Sequence, residues 1–290
     1  MQQQTDFVFY KQRDFSEKLS ATMDFIKIHW RPLIINLLYL LPALLIASYL
    51  GVNQISHALS DPYSFDGYSN MMIGGVFIAN IIYYITYFVA ILFTVSYIAE
   101  CTFASDGRTI NTKDVWRRVG SSFFRTLGAG FLAGIATVLG AMLCIIPGVF
   151  VGVCFSLYAY YCIIDEESAV SSLTSSYDVV KSQWFPTFGY MIVLGIIGYM
   201  VNMIFSIPAG LTTFGLFLGG ADMYISVFSN PIFITITNFI SYSGMIVVVP
   251  FIQIAMSFQY FNLKEIETGT GIEREIEMIG KRNENDYKSY

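Results

Sequence analysis

Residues 72–99 read MIGGVFIANIIYYITYFVAILFTVSYIA, twenty-eight consecutive positions without a charged side chain. A helix rises about 1.5 Å per residue and a bilayer's hydrocarbon core is about 30 Å thick, so about 20 such residues cross it. Helical geometry satisfies the backbone polar groups that lipid cannot. Five further apolar runs lie near Leu33–Gly51, Leu127–Ile146, Val149–Ile164, Phe188–Ser206 and Pro231–Phe261. Pro250 in the last run predicts a bend there. The pattern predicts an all-α polytopic membrane protein of six transmembrane helices, with two or three amphipathic in-plane helices on the cytoplasmic face. Composition agrees, since 55% of the 290 residues are hydrophobic and 13% charged, against about 25% charged in a soluble domain. A net charge of −5 removes the basic footprint that nucleic-acid binding needs.

Positively charged loops stay on the cytoplasmic side, and all 16 Lys and Arg fall on one side of a six-span arrangement. They occupy the N-terminal segment (Lys11 to Arg31), the 101–126 connection (Arg108 to Arg125), Lys181, and the stretch from Lys264 to Lys288. Connections 52–71, 147–148 and 207–230 hold none. Both termini are therefore expected in the cytoplasm, in an inner-membrane protein without a cleaved leader. The expected organisation is a six-span membrane domain over 1–264 and a charged cytoplasmic tail over 265–290. Interfacial helices are expected within 1–31 and at 112–126 and 168–185. Tyr63, Phe65 and Tyr68 are expected to rest on the outer headgroups, and the four cysteines to be reduced packing residues.

The pattern D-x-x-K-x-x-W-x-P occurs twice, at Asp24, Lys27, Trp30 and Pro32 and again at Asp178, Lys181, Trp184 and Pro186. At 100° per residue, Phe15, Leu19, Met23, Ile26 and Trp30 form one stripe, and Ala169, Leu173, Tyr177, Val180 and Trp184 form its counterpart. Such stripes suit a helix lying in the headgroup region, ending at a Trp anchor and turning through a Pro elbow into the next span. These eight motif residues are the expected interfacial anchors. The 112–126 stretch is a third copy in character only. Pro42 is expected inside the first span, with Pro147 and Pro208 ending theirs.

At Ile146-Pro147-Gly148, Gly152, the Tyr-rich Ser156–Tyr161, acidic Asp165-Glu166-Glu167 and Ser172–Trp184, the chain resembles a group of bacterial six-helix membrane protein families. That group is related to the membrane domain attached to glycerophosphodiester phosphodiesterases. The resemblance implies the membrane fold without the hydrolytic chemistry. Its only histidines are His29 and His57, and no segment suits a barrel of about 250 residues.

No ionisable residue falls in the middle of an expected span, which disfavours proton-coupled transport and intramembrane catalysis. Asn80, Tyr84, Tyr87, Asn202, Asn238 and Gln253 are candidates for a polar groove, against a reading as interhelical packing. Gly130, Gly134, Gly140, Gly148 and Gly152 mark small faces on spans three and four, expected to pack at the bundle centre. No catalytic, metal or cofactor residue is expected. The expected function is that of a non-enzymatic integral membrane protein that organises, stabilises or regulates membrane components. Its partners would be membrane lipids and another membrane or cytoplasmic protein. The rival is a transporter or carrier of a small or amphipathic solute.

Overall fold

The structure is a computed structural model that describes residues 7–60, 74–104, 110–223 and 230–269, without the side chains of 53–60 and 212–223. Tyr63, Phe65, Tyr68, the side chain of His57 and the tail from residue 270 onward lie outside the described residues. Ten α-helices occur among the described residues, and no strand. They are α1 (Phe15–Leu38), α2 (Leu41–Ser60), α3 (Val76–Ala104), α4 (Thr112–Leu143), α5 (Ile145–Cys154), α6 (Tyr158–Ile163), α7 (Ala169–Ser182), α8 (Trp184–Met223), α9 (Pro231–Ser243) and α10 (Met245–Thr268). Five stretches are long and apolar enough to cross a membrane: Val76–Ala104, Thr112–Leu143, Ile145–Ile163, Trp184–Leu211 and Pro231–Thr268. A sixth arises if the pair Phe15–Leu38 and Leu41–Val52, bent by 48°, is one broken span. The chain is thus all-α, with the helix lengths and composition of a membrane-embedded protein.

The breaks differ from those the prolines predict. Helix α1 continues through Pro32 and stops near Tyr39. There the Tyr39 and Leu40 amides turn back to the carbonyls of Asn36 and Leu37 at 3.3 and 3.0 Å. Pro42, lacking an N–H, cannot serve the Leu38 carbonyl and crowds it, so the break precedes Pro42. The expected elbow at Pro32 and the unbroken span Leu33–Gly51 are therefore corrected.

Helix α4 is continuous over 32 residues from its Asn111 N-cap, so 112–126 is the first half of one long helix rather than the separate helix expected there. Pro208 and Pro250 both lie within continuous helix. The sixth span instead breaks at Gly244, where a Cβ would lie 2.7 Å from Asn202 Oδ1 and 2.9 Å from Phe205 Cβ.

The chain divides into two compact units. Unit 2 comprises Ile28–Thr94 and Leu194–Ile252. Within it α2 packs on α9, and the Tyr83 and Tyr242 rings lie 4.7 Å apart. Unit 1 comprises Met1–Lys27, Val95–Val193 and Gln253–Tyr290. Here α4 and α5 form a hairpin turned at the extended residue Cys144. The approach is close, because a Cβ on Gly140 would meet Gly148 Cα at 3.1 Å and one on Gly148 would meet Ala141 Cβ at 2.6 Å. A Cβ on Gly130 would strike the Tyr158 hydroxyl at 2.7 Å, and one on Gly152 would touch Thr137 at 3.4 Å. Gly134 faces open space. With Phe131, Val138, Leu139, Met142 and Leu143 all exposed, α4 is peripheral in unit 1, which corrects its expected place at a bundle centre.

Unit 1 also shows how a broken span keeps its backbone satisfied. Between α5 and α6 the helix opens at Phe155–Leu157, and α7 fills the gap with one side chain. Ser176 Oγ accepts from the Leu157 amide at 3.2 Å and donates to the Cys154 carbonyl at 2.7 Å. Ser176 is fully buried. Ahead of α1, Phe7 and Phe9 pack with Phe25 of α1 and Phe258 of α10, ring centroids 5.4–6.5 Å apart. This folds the start of the chain into the unit.

Candidate functional site

The two motif copies bury the same register positions, 154 residues apart. Lys18, Thr22, Phe25 and Leu33 are buried in the first copy, and Ser172, Ser176, Val179 and Thr187 in the second. The expected apolar stripes lie mostly outside these packed faces, with Val180 of the second stripe fully buried as the exception. Phe15, Met23 and Trp30 stay 44–46% exposed, and the protein-facing stripe beside them carries small polar groups. Both motif carboxylates pair with their lysines, Asp24 with Lys27 at 3.0 Å and Asp178 with Lys181, on exposed surface. Trp184 begins α8 beside the break at Gln183, donates through Nε1 to the Phe150 carbonyl at 3.2 Å, and stacks on Phe150 and Phe188. Pro186 is the third residue of α8. Trp30 has the Arg31 guanidinium 5.4 Å over its ring.

The polar-groove candidates fall into separate local roles. Asn80 and Asn238 donate their amides to the carbonyls of Val76 and Ile234, four residues back in their own helices. Asn202 lies against Gly244, Tyr84 is 64% exposed, and Tyr87 approaches Tyr83 with ring centroids 6.5 Å apart. Gln253, in unit 1, accepts from the Tyr160 hydroxyl at 2.8 Å.

Asp165-Glu166-Glu167, the connection between α6 and α7, is a fastening point. Glu166 has φ of 58°, a left-handed conformation that costs a residue with a Cβ. Arg118 holds it, donating from Nε to Glu100 at 2.8 Å and from Nη1 to Glu166 at 3.0 Å. Arg125 donates to the carbonyls of Glu166 and Cys162 at 2.9 and 2.6 Å. Asp165 accepts from Tyr260 at 2.7 Å and pairs with Lys264. Glu167 accepts from Ser171 and Ser175. These contacts tie α3, α4, α7 and α10 to one loop, and they use up the carboxylates there.

A cleft of about 710 Å³ in unit 1 has a different character. Its walls come from the entry into α1 (Gln12, Arg13, Asp14, Phe15, Lys18), the start of α8 (Gln183, Pro186, Gly189, Tyr190) and the end of α10 (Asn262, Ile266). Lys18 is 6% exposed. Its Nζ donates to Gln259 Oε1 at 2.7 Å and lies 5.1 Å over the Tyr190 ring. Gln259 Nε2 in turn donates to Thr187 Oγ1 at 2.9 Å, so one amide joins both motif copies. Arg13 Nη1 donates to the Phe9 carbonyl at 2.8 Å, Nη2 donates to the Val8 carbonyl, and the guanidinium sits 5.2 Å from the Phe258 ring centre. Burial lowers its pKa from the ordinary arginine value, with Glu17 acting against that.

Among the described residues no carboxylate forms an ion pair with Arg13 or Lys18. The two nearest in sequence, Asp14 and Glu17, form a capping box on α1 and act on Lys18 and Arg13 through their charge without an ion pair. Glu17 N donates to Asp14 Oδ1 at 2.8 Å and Asp14 N donates to Glu17 Oε2 at 3.1 Å. Burying an ammonium without a counter-ion costs several kcal/mol in general. A single amide oxygen and a ring face offset that only in part, because an ammonium has three donors.

Sequence reasoning placed Trp30 and Trp184 at the centre and missed Arg13, Lys18, Gln259 and Asn262. The available signal was the phase of Lys18, which falls with Thr22 and Phe25 on the face that packs. No group of three or more His, Cys, Asp or Glu among the described residues is arranged to hold a metal ion. All four cysteines are free thiols, with Cys144 exposed and Cys101, Cys154 and Cys162 buried.

A family model described as a domain of unknown function, DUF7847, matches residues 32–263. No curated protein and no solved structure matches the chain. Nothing in the family match links it to the glycerophosphodiester phosphodiesterase-related membrane domains.

Proposed function

The chain belongs to the DUF7847 family, whose function is unknown. From that premise we propose that it is a non-enzymatic integral protein of the cytoplasmic membrane, organising, stabilising or regulating membrane components through lipid contacts at its inner face. In this reading the chain spans the membrane six times with both termini in the cytoplasm, and α7 lies along the inner boundary. The observation that carries it is the unit 1 cleft, where cations that form no carboxylate ion pair among the described residues meet apolar walls at the basic end of the helices. Such a lining suits a ligand that is polar at one end and apolar at the other.

The rival reading, a carrier of a small or amphipathic solute, draws on Asn80, Tyr84, Tyr87, Asn202, Asn238 and Gln253. The amides of Asn80 and Asn238 are spent on their own helices, which favours the first reading.

The test begins with the full chain extracted into polymer nanodiscs. Its retained lipids should be enriched in one headgroup class over the bulk membrane. A lipid pool matching the bulk, together with solute uptake by proteoliposomes, would overturn the reading in favour of the carrier. Orientation is checked in a background without native cysteines. Cysteine at Ser60 or Ser229 should react with an impermeant thiol reagent in intact cells, whereas cysteine at Ser20 should not. Labelling at Ser20 without permeabilisation would place the cleft on the opposite side.

A further inference from the structure

We propose that the unit 1 cleft is a phosphate site, in which Arg13 and Lys18 hold the phosphate of an anionic glycerophospholipid headgroup or of a free organophosphate. The proposal rests on the inner-face reading for the lipid source alone. The cleft itself stands on its own geometry.

Three observations converge on phosphate. First, two cations line one cleft of about 710 Å³, within the usual range for ligand pockets, and neither is neutralised by a carboxylate ion pair among the described residues. Several other cations of this unit are used differently. Arg118, Lys264 and Lys181 pair with Glu100, Asp165 and Asp178, while Arg125 is spent on two carbonyls. Second, the remaining polar lining consists mainly of amides that can donate, Gln12, Gln183 and Asn262. The Asn262 oxygen is already occupied by the Arg13 backbone amide at 2.7 Å, which leaves its NH₂ as the free half of that side chain. Asp14 is the one carboxylate in the lining; Oδ1 of its side chain caps the Glu17 amide, and its charge reaches Lys18 without forming an ion pair with it.

Third, the cations are held in place by fixed partners. Gln259, fixed by Thr187, seats the Lys18 ammonium, and carbonyls of the 8–9 stretch together with the Phe258 ring seat the Arg13 guanidinium. A planar guanidinium and a compact ammonium, both positioned beforehand, suit a tetrahedral dianion or diester better than a carboxylate, which one Arg satisfies alone. Phe15, Pro186, Tyr190 and Ile266 add apolar contact, which an inorganic ion would not use and a glycerol backbone would.

The test uses the intact chain in detergent and in nanodiscs of phosphatidylcholine, with or without about 5% phosphatidylglycerol. Phenylglyoxal modification of Arg13 is followed by peptide mass spectrometry, with the exposed Arg117 as internal reference. Phosphatidylglycerol should slow modification of Arg13 at least about tenfold relative to Arg117, and phosphatidylcholine alone should not. Glycerol phosphate and inorganic phosphate, added separately at about 10 mM, distinguish the sources. Protection by the soluble anions but not by phosphatidylglycerol keeps the phosphate site and removes the lipid as its ligand. Protection by neither overturns the proposal, even if the nanodisc lipid pool is enriched as the broader reading requires.

Arg13→Gln and Lys18→Met, the latter keeping the buried stem, should each lower phosphatidylglycerol retention in native mass spectrometry about tenfold. Lys27→Gln, which removes one exposed charge elsewhere on α1, should leave it unchanged. Equal losses in all three variants would mean general electrostatic attraction and would also overturn the site. If Lys18→Met fails to fold, Arg13→Gln and the wild-type footprint still decide.

Discussion

The two copies of D-x-x-K-x-x-W-x-P share their sequence pattern and their buried register but not their backbone. In the first, α1 runs unbroken through Trp30 and Pro32. In the second, the helix stops at Gln183 and restarts at Trp184. Both prolines lack the same N–H, so proline alone does not make the break. What differs is the surroundings: Trp184 is bonded and stacked to Phe150 and stacked on Phe188, whereas Trp30 is 46% exposed. A short motif fixes which face a helix buries, and a tertiary partner decides whether the chain turns there.

The sharpest way to break this comparison is at the equivalent positions Thr22 and Ser176, both fully buried. Thr22 Oγ1 donates to the carbonyl of Lys18, one turn back in its own helix. Ser176 bridges two backbone groups that the α5–α6 break leaves open. Each buried group left unpaired costs about 1–3 kcal/mol, so Ser176→Ala should lose about 2–4 kcal/mol. Thr22→Val, which keeps volume, should lose about 1 kcal/mol. Thermal unfolding of the purified variants in one detergent measures both, and similar losses at the two sites would refute the asymmetry.

The tryptophans come next. Trp184→Ala removes two stacked rings' worth of contact and one hydrogen bond from a half-buried site, and should cost about 2–3 kcal/mol. Trp30→Ala should cost under about 1 kcal/mol in detergent, since so much of its ring faces outward. In two single-tryptophan variants, with Trp116 and either Trp184 or Trp30 replaced by Phe, fluorescence should show Trp30 quenched by lipids labelled at shallow depth more strongly than Trp184. Equal quenching would restore the symmetric-anchor reading that the sequence alone invites.

The helical class and the apolar runs were legible because hydropathy over 20 residues depends little on tertiary contacts. Val76–Ala104 and Thr112–Leu143 both overlap most of the runs expected at 72–99 and Leu127–Ile146. The breaks were not legible. Pro32, Pro208 and Pro250 pass through helix, while Tyr39, Phe155–Leu157, Gln183 and Gly244 interrupt it, because neighbours such as Ser176 and Phe205 decide where an open backbone is tolerated. The cleft was hidden for a related reason. Lys18 and Arg13 read as two more members of a basic N-terminal segment, and only Gln259 and Asn262, more than 240 residues away in sequence, give them a fixed place.

The smallest expected effect lies in the motif's charged pairs, and there the two copies should behave alike. Lys27–Asp24 and Lys181–Asp178 are both exposed at i,i+3 spacing, where water and salt screen the attraction and side-chain entropy opposes it. Asp24→Asn and Asp178→Asn should each shift the melting temperature by no more than about 1 °C, less still in about 0.5 M salt. The hydrogen bond that Lys181 donates to Asp178 raises the Lys181 pKa above its ordinary 10.5. A group whose folded pKa is raised contributes stability that is complete below the unfolded value and lost as pH rises through the folded one. The Lys181 pair should therefore act fully at neutral pH and fade only above about 10.5. Wild type and Asp178→Asn should then converge in melting temperature under strongly alkaline conditions while differing slightly at pH about 7. A difference that instead grew with pH would mean that Asp178 acts through something other than Lys181.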